Sequence, residues 1–148
     1  MSDLAKQRLR LWLRLLKVTR RVEAELRENL RRDHGSTLPR FDVMAALARR
    51  PEGLRMSAVS DVLRVSNGNV TGIIDRLVAE GLVERLAVES DRRATVVRLT
   101  EAGRAHFAEL AVRHEGWVDR LFAGLDAADT ETATRLLDRV APIREEAL

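Results

Sequence analysis

Residues 66–81 have the sequence S-N-G-N-V-T-G-I-I-D-R-L-V-A-E-G. The apolar side chains of this stretch recur at helical spacing and form one stripe of an amphipathic helix: Val70, Ile73, Ile74, Leu77 and Val78. Ser66 is a typical N-cap residue, and Gly81 is typical of the C′ position that closes a helix. The sequence therefore predicts one helix between Ser66 and Gly81.

The first turn of this helix is unusually polar. It holds small, hydrogen-bonding residues: Asn67, Gly68, Asn69 and Thr71. Asn and Gly are poor helix formers, so helix propensity does not explain their presence. A helix that enters the DNA major groove does explain it, because its N-terminal residues meet base edges there. A frayed, solvated first turn fits the same residues equally well, so the neighbouring segments must decide.

Length and composition exclude several classes of protein. The chain has 148 residues, enough for one domain or for two small lobes that share a core. It has no cysteine, which excludes disulfides, thiolate metal sites and cysteine redox sensing. No apolar run approaches the ~20 residues of a membrane span. Arginines interrupt the N-terminal leucines, unlike a secretory signal. We therefore expect a cytoplasmic protein with no membrane partner.

The charge is distributed unevenly along the chain. The net charge is +3. Residues 1–32 hold ten Lys/Arg against four Asp/Glu, whereas residues 99–148 hold six against ten. Most of the basic residues are arginines, which suit phosphate contact better than lysines do. Because basic helices are also common on ordinary surfaces, this pattern supports nucleic-acid binding only weakly.

Residues 4–32 contain no Pro or Gly and are predicted to form one long helix. One apolar stripe has helical spacing: Leu11, Leu15, Val18, Val22, Leu26 and Leu30. Further apolar residues widen the stripe in the first half: Leu9, Trp12, Leu13 and Leu16. A helix that is apolar on two sides needs two surfaces to pack against. We expect residues 4–16 to contribute to a homodimer surface; the alternative is a helix at the centre of a monomeric core.

The next segment predicts a helix-turn-helix. Residues 33–36 form a loop, and Ser36 or Thr37, with Pro39 in the first turn, begins a second helix that stops before Pro51. Residues 52–55 are predicted to be a turn, and Ser57 to cap a short helix over 58–63. A short helix, a tight connection and a longer helix have the spacing of a helix-turn-helix.

After residue 81 the apolar period changes from helical to alternating. Residues 82–88 are predicted to form a strand, 89–94 a turn and 95–100 a second strand. The hairpin would carry Arg92 and Arg93 at its tip, as the wing of a winged helix does. Thr100 and Asp126 are then predicted to cap two further helices.

Three short motifs follow the helix-turn-helix in order: Gly81-Leu82-Val83-Glu84-Arg85, Asp91-Arg92-Arg93 and Val97-Arg98-Leu99-Thr100-Glu101-Ala102-Gly103. They match the run G-L-V-x-R, D-x-R and L-T-x-x-G of the MarR family of bacterial transcriptional regulators, which this chain resembles along its whole length. The resemblance implies a mainly α fold with a small β-hairpin wing. It places a winged helix-turn-helix lobe at 37–100 and a helical dimerisation region at 1–36 and 101–148.

The resemblance also implies a homodimer that binds a pseudo-palindromic operator in double-stranded DNA. The predicted function is a ligand-responsive transcriptional repressor. Base reading would fall to Asn67, Asn69 and Thr71, because Asn pairs bidentately with adenine and the Thr methyl contacts thymine. Arg76 is predicted to hold phosphate; the alternative is an ion pair with Glu80 one turn further along.

Other contacts are predicted at the helix starts and on the wing. Ser57 and Ser66 begin helices whose free backbone N–H groups can bind phosphate. Arg92 and Arg93 are candidates for the minor groove, where a narrow A·T-rich stretch attracts arginine. The resemblance implies that Asp91 pairs with an arginine of the hairpin and orients it.

A ligand site is predicted between the first two helices. Its apolar lining would be Trp12, Leu16, Phe41 and Met44, with Arg14, Arg20 or His34 as an anchor for an anion. The same residues fit an ordinary core. By resemblance, the small-molecule effector would be an aromatic carboxylate, a phenolic compound or a CoA thioester.

Other functions fit the sequence less well. His106 and His114 lie eight residues apart, but a core or interface histidine explains His114 better than a metal ligand does. We therefore predict no metal and no cofactor. No nucleophile elbow or glycine-rich phosphate loop is present, so an enzyme is not expected. The remaining alternative is a winged-helix module for protein–protein contact, against which the polar and basic face argues.

Overall fold

The protein is mainly helical, with one small antiparallel sheet. The structure is a computed structural model that describes residues 2–63 and 67–142, and for residues 67, 68 and 91–93 it describes the backbone only. The elements are α1 Asp3–His34, α2 Leu38–Ala48, β1 Leu54–Arg55, α3 Met56–Leu63, α4 Asn67–Ala79, β2 Val83–Val88, β3 Asp91–Leu99, α5 Glu101–Leu121 and α6 Ala127–Val140. The predicted fold class is confirmed.

The predicted caps are present at most helix ends. The side chains of Thr37, Thr100 and Asp126 accept backbone N–H groups in the first turns of α2, α5 and α6. Gly81 follows α4 with a φ of 74°. This left-handed conformation favours glycine, which is why the residue marks the end of α4.

Two predicted boundaries before α3 are wrong. Helix α1 continues through Asp33 and His34 and ends at Gly35, whose φ is 57°. Residues 54–55 are not part of a turn but form strand β1, in which Leu54 lies opposite Val97. Two residues are too few to show a strand period, so the sequence did not reveal β1.

The positions of Ser57 and of the hairpin turn also differ from the prediction. Because α3 begins at Met56, Ser57 is the second residue of the helix and not its N-cap. Strand β3 begins at Asp91, directly after a turn at residues 89–90. The turn is therefore two residues long, where the sequence predicted six. Residues 91–94 belong to strand β3 of the hairpin.

The sheet has the strand order β1-β3-β2, and its inner side covers a hydrophobic cluster shared with α2, α3 and α4. This winged-helix core consists of Val43, Met44, Leu47, Val59, Val70, Ile74, Leu77, Val83, Val97 and Leu99. The predicted apolar stripe of α4 supplies three of its fully buried side chains. A second cluster joins α1, α2 and α5 and consists of Leu26, Leu30, Phe41, Leu110 and Trp117.

Two helical segments leave large apolar side chains exposed. In the first half of α1 these are Leu4, Leu9, Leu11, Trp12, Leu13 and Val18. At the end of α5 and along α6 they are Leu121, Phe122, Leu125, Leu136, Leu137 and Val140. Helix α6 has no buried residue. Within the described residues, no helix combines the length and the apolarity that crossing a membrane requires.

Candidate nucleic-acid interface

Helix α4 has one buried side and one exposed polar side. Val70, Ile74 and Leu77 are fully buried in the winged-helix core. On the other side Asn69 and Thr71 are exposed in the first turns, and Arg76 is exposed further along. The helix therefore presents its hydrogen-bonding side chains outward. Ser66 and the side chain of Asn67 lie outside the described residues.

Two ion pairs hold α4 in place from neighbouring elements. Asp75 pairs with Arg85 on β2, and Glu80 pairs with Arg40 on α2. Because Glu80 is engaged by Arg40, it does not form the alternative pair with Arg76. Arg76 makes no ion pair with any residue that the structure describes, so its guanidinium is available for another partner.

The wing is stiffened by a pair across its two strands. Glu84 on β2 lies opposite Arg98 on β3, and Arg98 Nε lies 2.5 Å from Glu84 Oε1. The backbone of Asp91, Arg92 and Arg93 follows the turn at residues 89–90. This places both arginines at the tip of the hairpin. The side chains of residues 91–93 are outside the described part, so the predicted role of Asp91 stays a prediction.

The end of α4 and the start of α5 meet in a tight junction formed by Gly81, Leu82, Thr100 and Gly103, here called the α4–α5 junction. The Leu82 carbonyl accepts the Thr100 N–H at 3.0 Å, and the Thr100 hydroxyl donates to the Gly81 carbonyl at 2.7 Å. A Cβ on Gly103 would lie 1.9 Å from the Leu82 oxygen, so only glycine fits there.

Sequence reasoning missed the role of this junction. In the sequence, the motifs G-L-V-x-R and L-T-x-x-G indicated only a resemblance to a family, not a contact between the two segments. The structure gives their physical meaning: Thr100 both caps α5 and ties it to residue 81, and the glycine at position 103 permits the close approach. The signal in the sequence was a glycine in the first turn of a helix, where helix propensity disfavours it.

The residues predicted to line a ligand cleft are not brought together in the described chain. Met44 is fully buried in the winged-helix core, and Phe41 is buried in the second cluster, where its ring stacks on His114 with centroids 4.4 Å apart. Trp12 is 55% exposed on α1. Leu16 is half-buried and Arg20 exposed on the same helix.

The three histidines occupy different surroundings. Burial against Phe41 lowers the pKa of His114, which favours the neutral ring. His34 contacts Trp117, with ring centroids 5.9 Å apart. His106 lies on the second turn of α5. Together with His34 on α1, Arg40 on α2 and Glu80 just after α4, it lines a cavity.

Comparison with known proteins identifies the family of this chain. The model of the MarR family matches residues 34–94. A MarR family transcriptional regulator from Silicibacter pomeroyi is 33% identical; the match covers 95% of this chain and 96% of that one, with a TM-score of 0.77.

Two further solved structures bear on function. A mutant of MarR from Escherichia coli complexed with operator DNA is 29% identical over 95% of this chain and 100% of that one, with a TM-score of 0.75. BpsR from Bordetella bronchiseptica, whose DNA binding is regulated by 6-hydroxynicotinic acid, is 26% identical over 89% and 98% of the two chains, with a TM-score of 0.76. The chain therefore belongs to the MarR family of transcriptional regulators.

Proposed function

We propose that this regulator binds a pseudo-palindromic operator as a homodimer, with α4 in the major groove and the wing beside it. In this proposal residues 37–100 are the DNA-binding lobe, and residues 1–36 and 101–148 form the dimerisation region. The observation that carries the proposal is the exposed polar side of α4, with Asn69 and Thr71 in its first turns and, behind them, Arg76, which makes no ion pair with any described residue. The operator complex of the Escherichia coli relative supports it.

The proposed contacts divide into base reading and phosphate binding. Asn67, Asn69 and Thr71 would meet base edges, whereas Arg76 would hold the backbone and fix the register. Ser57 is not an N-cap, but we still assign it to phosphate binding. It lies in the first turn of α3, where backbone N–H groups have no intrahelical acceptor.

The proposal gives three further residue groups a role. Ser66 would offer phosphate the N–H groups at the start of α4. Arg92 and Arg93 lie in the hairpin next to its turn, and in this proposal their guanidinium groups would enter the narrow minor groove. Asp91 would orient one of these guanidinium groups.

Replacing Asn69 with alanine tests the base-reading role. We expect Asn69→Ala to reduce the discrimination between operator and random DNA by roughly 1–3 kcal/mol, because a bidentate pair with a base is lost. Arg93→Ala should weaken binding to both duplexes more evenly. The measurement is fluorescence anisotropy with a duplex from the region upstream of the gene and a shuffled duplex of equal length. Asn29→Ala on α1 is the matched control and should change neither affinity.

Unchanged discrimination in Asn69→Ala, together with unchanged affinity in Arg93→Ala, would contradict this placement of the DNA surface.

The proposed dimer rests on complementary surfaces at the two ends of the chain. A groove of about 880 Å³ between α5 and α6 combines apolar lining residues with two carboxylates, Glu115 and Asp119. The exposed half of α1 has the opposite character, since its leucines alternate with lysines and arginines. We propose that α1 of a second copy packs in this groove, so that apolar surface is buried and opposite charges meet.

A single substitution on α1 tests the dimer. Leu13 is 48% exposed, so Leu13→Glu should fold, but it places a charge in the proposed interface of both copies. We expect dimer affinity to fall by at least about 100-fold, from the lost burial of two leucines at about 1.5 kcal/mol each. Sedimentation velocity at micromolar concentration measures it. Val62→Glu on α3 is matched in exposure, 52%, and should remain dimeric.

A wild-type protein that sediments as a monomer at these concentrations would rule out the proposed dimer.

We also propose that a small ligand releases the regulator from its operator, as a repressor. The regulation of BpsR by 6-hydroxynicotinic acid supports a ligand response of this kind. Suitable ligands are aromatic or phenolic acids, or their CoA thioesters. Binding would favour a dimer in which the two α4 helices no longer match successive major grooves, ~34–36 Å apart.

A further inference from the structure

Gly72 is a glycine for which the fold itself gives no reason. It lies inside α4 in the ordinary helical conformation, and apart from its own helix no described atom comes within 4 Å of the position that a Cβ would take. Gly81 and Gly103 differ, since the first has a left-handed φ of 74° and the second packs directly against backbone. Glycine also lowers the stability of a helix relative to alanine. A residue that lowers stability without a structural need points to a role in function.

Gly72 occupies the centre of the exposed side of α4. It lies two residues from both Val70 and Ile74, and two residues turn the chain by about 200° around the axis of a helix. Because Val70 and Ile74 are fully buried, position 72 faces away from the core. Ala79 lies two turns further along the same line and is also exposed. This outer line of α4, Gly72 and Ala79, therefore carries no side chain larger than a methyl group.

Longer polar side chains stand on both sides of the outer line. Asn69 and Thr71 lie on opposite flanks, because the two-residue step between them also turns by about 200°. Further along, Arg76 continues the flank of Asn69, and Asp75, which pairs with Arg85, continues the flank of Thr71. All four side chains on α4 are exposed. The exposed side of the helix is thus low along its centre and bordered by polar groups.

We propose that Gly72 is a specificity-determining residue, because its missing side chain lets α4 lie deep in the major groove. A helix with its side chains is about 10–12 Å across, whereas the major groove is about 12 Å wide and about 8.5 Å deep. The fit leaves little room, so a side chain on the outer line would hold the backbone away from the bases. Without one, Asn69 and Thr71 reach base edges from the two flanks. This inference rests on the operator binding proposed above.

Two substitutions at position 72 test this role. Gly72→Ala should weaken operator binding roughly 10-fold and Gly72→Leu at least roughly 100-fold, because the added atoms overpack the contact with the bases. Binding to a shuffled duplex should change by less than about 2-fold, since it depends on phosphate contacts and not on the depth of the helix in the groove. Fluorescence anisotropy with the two duplexes measures both affinities.

Thermal unfolding without DNA separates this role from loss of the fold. Both variants replace glycine with a better helix former, so their midpoints should lie at or above that of the wild type. Ala24→Leu is the matched control, because it adds a leucine side chain at an exposed helical position on α1. It should leave the operator affinity unchanged.

Three results overturn the inference while the wild-type protein still binds its operator. The first is equal operator affinity of Gly72→Leu and the wild type, and the second is an equal loss for operator and shuffled duplex. The third is an equal loss in Gly72→Ala and Gly72→Leu, which would mean that α4 must bend at this position and that side-chain size is irrelevant. A wild-type protein that binds operator and shuffled duplex equally well would instead refute operator recognition, and this inference with it.

Discussion

Between 50 and 200 mM salt, the affinity of this protein for its operator duplex should fall about 10³–10⁵-fold. This range corresponds to 6–10 phosphate contacts, each of which releases condensed counterions when it forms. Each protomer of the proposed dimer would supply half of these contacts. Arg76 on α4 and the arginines at the tip of the hairpin are the charged side chains that we assign to them. A contact surface of this kind makes the affinity a steep function of salt.

The measurement is fluorescence anisotropy of a labelled duplex from the region upstream of the gene, titrated at several salt concentrations and constant pH. Arg76→Ala should reduce the slope of log K against log [salt] by about 2, one contact for each protomer. Arg135→Ala is a matched control, because Arg135 is an exposed arginine on α6 paired with Glu131. It should leave the slope unchanged. A flat salt response of the wild-type protein would refute operator binding.

Gly103→Ala should destabilise the fold by about 3 kcal/mol or more, at the upper end of the cost of overpacking. The added Cβ would lie 1.9 Å from the Leu82 oxygen and 2.9 Å from its carbonyl carbon. Neither atom can move away easily, because the Leu82 carbonyl accepts the Thr100 N–H and the Leu82 N–H donates to Leu77. The contact is with backbone, so no side-chain rotamer can relieve it.

Thermal unfolding followed by circular dichroism in the absence of DNA measures this effect. The midpoint of Gly103→Ala should lie about 10 °C or more below that of the wild type. Gly72→Ala is the matched control, since position 72 is inside α4 and has open space where the Cβ would be. It should raise stability by about 0.5–1 kcal/mol through helix propensity. Equal midpoints for Gly103→Ala and the wild type would contradict the close packing of the junction.

The sequence predicted those parts of the fold that depend on local periodicity. The stripe of α4 was predicted from its spacing, and Val70, Ile74 and Leu77 are fully buried. The hairpin was predicted from alternation. Strand β1 was not, because its two residues form a strand only through pairing with β3, about forty positions away. The end of α1 was placed too early because polar residues precede Gly35, although the glycine itself marked the true end.

The candidate site shows the same division between local and long-range information. The exposed positions of Asn69, Thr71 and Arg76 follow from the helical period. The ion-pair partner of Glu80 does not follow from the helical period. The sequence suggested Arg76, one helical turn away, whereas in the structure Glu80 pairs with Arg40 on α2.

Phe41 and Met44, which were predicted to line one cleft, lie in different clusters for a related reason. Helix α2 is buried on two sides, so these two neighbouring residues belong to different clusters. The sequence pattern showed that both residues are apolar, but it did not show that each packs in a different cluster.

The α4–α5 junction joins α5 to the end of α4, so that a tilt of α5 would move its two ends relative to each other. Its first turn is fixed to Leu82, and its 21 residues, about 30 Å at 1.5 Å per residue, lead to the apolar surface at Leu121. Over this length, a tilt of about 5° displaces the far end by about 2.6 Å, nearly the 3.4 Å spacing of stacked bases. In the proposed dimer, each α4 is joined in this way to the α5 of its own protomer. In this proposal the distance between the two α4 helices, which must match the operator half-sites, would depend on the subunit interface, far from any base.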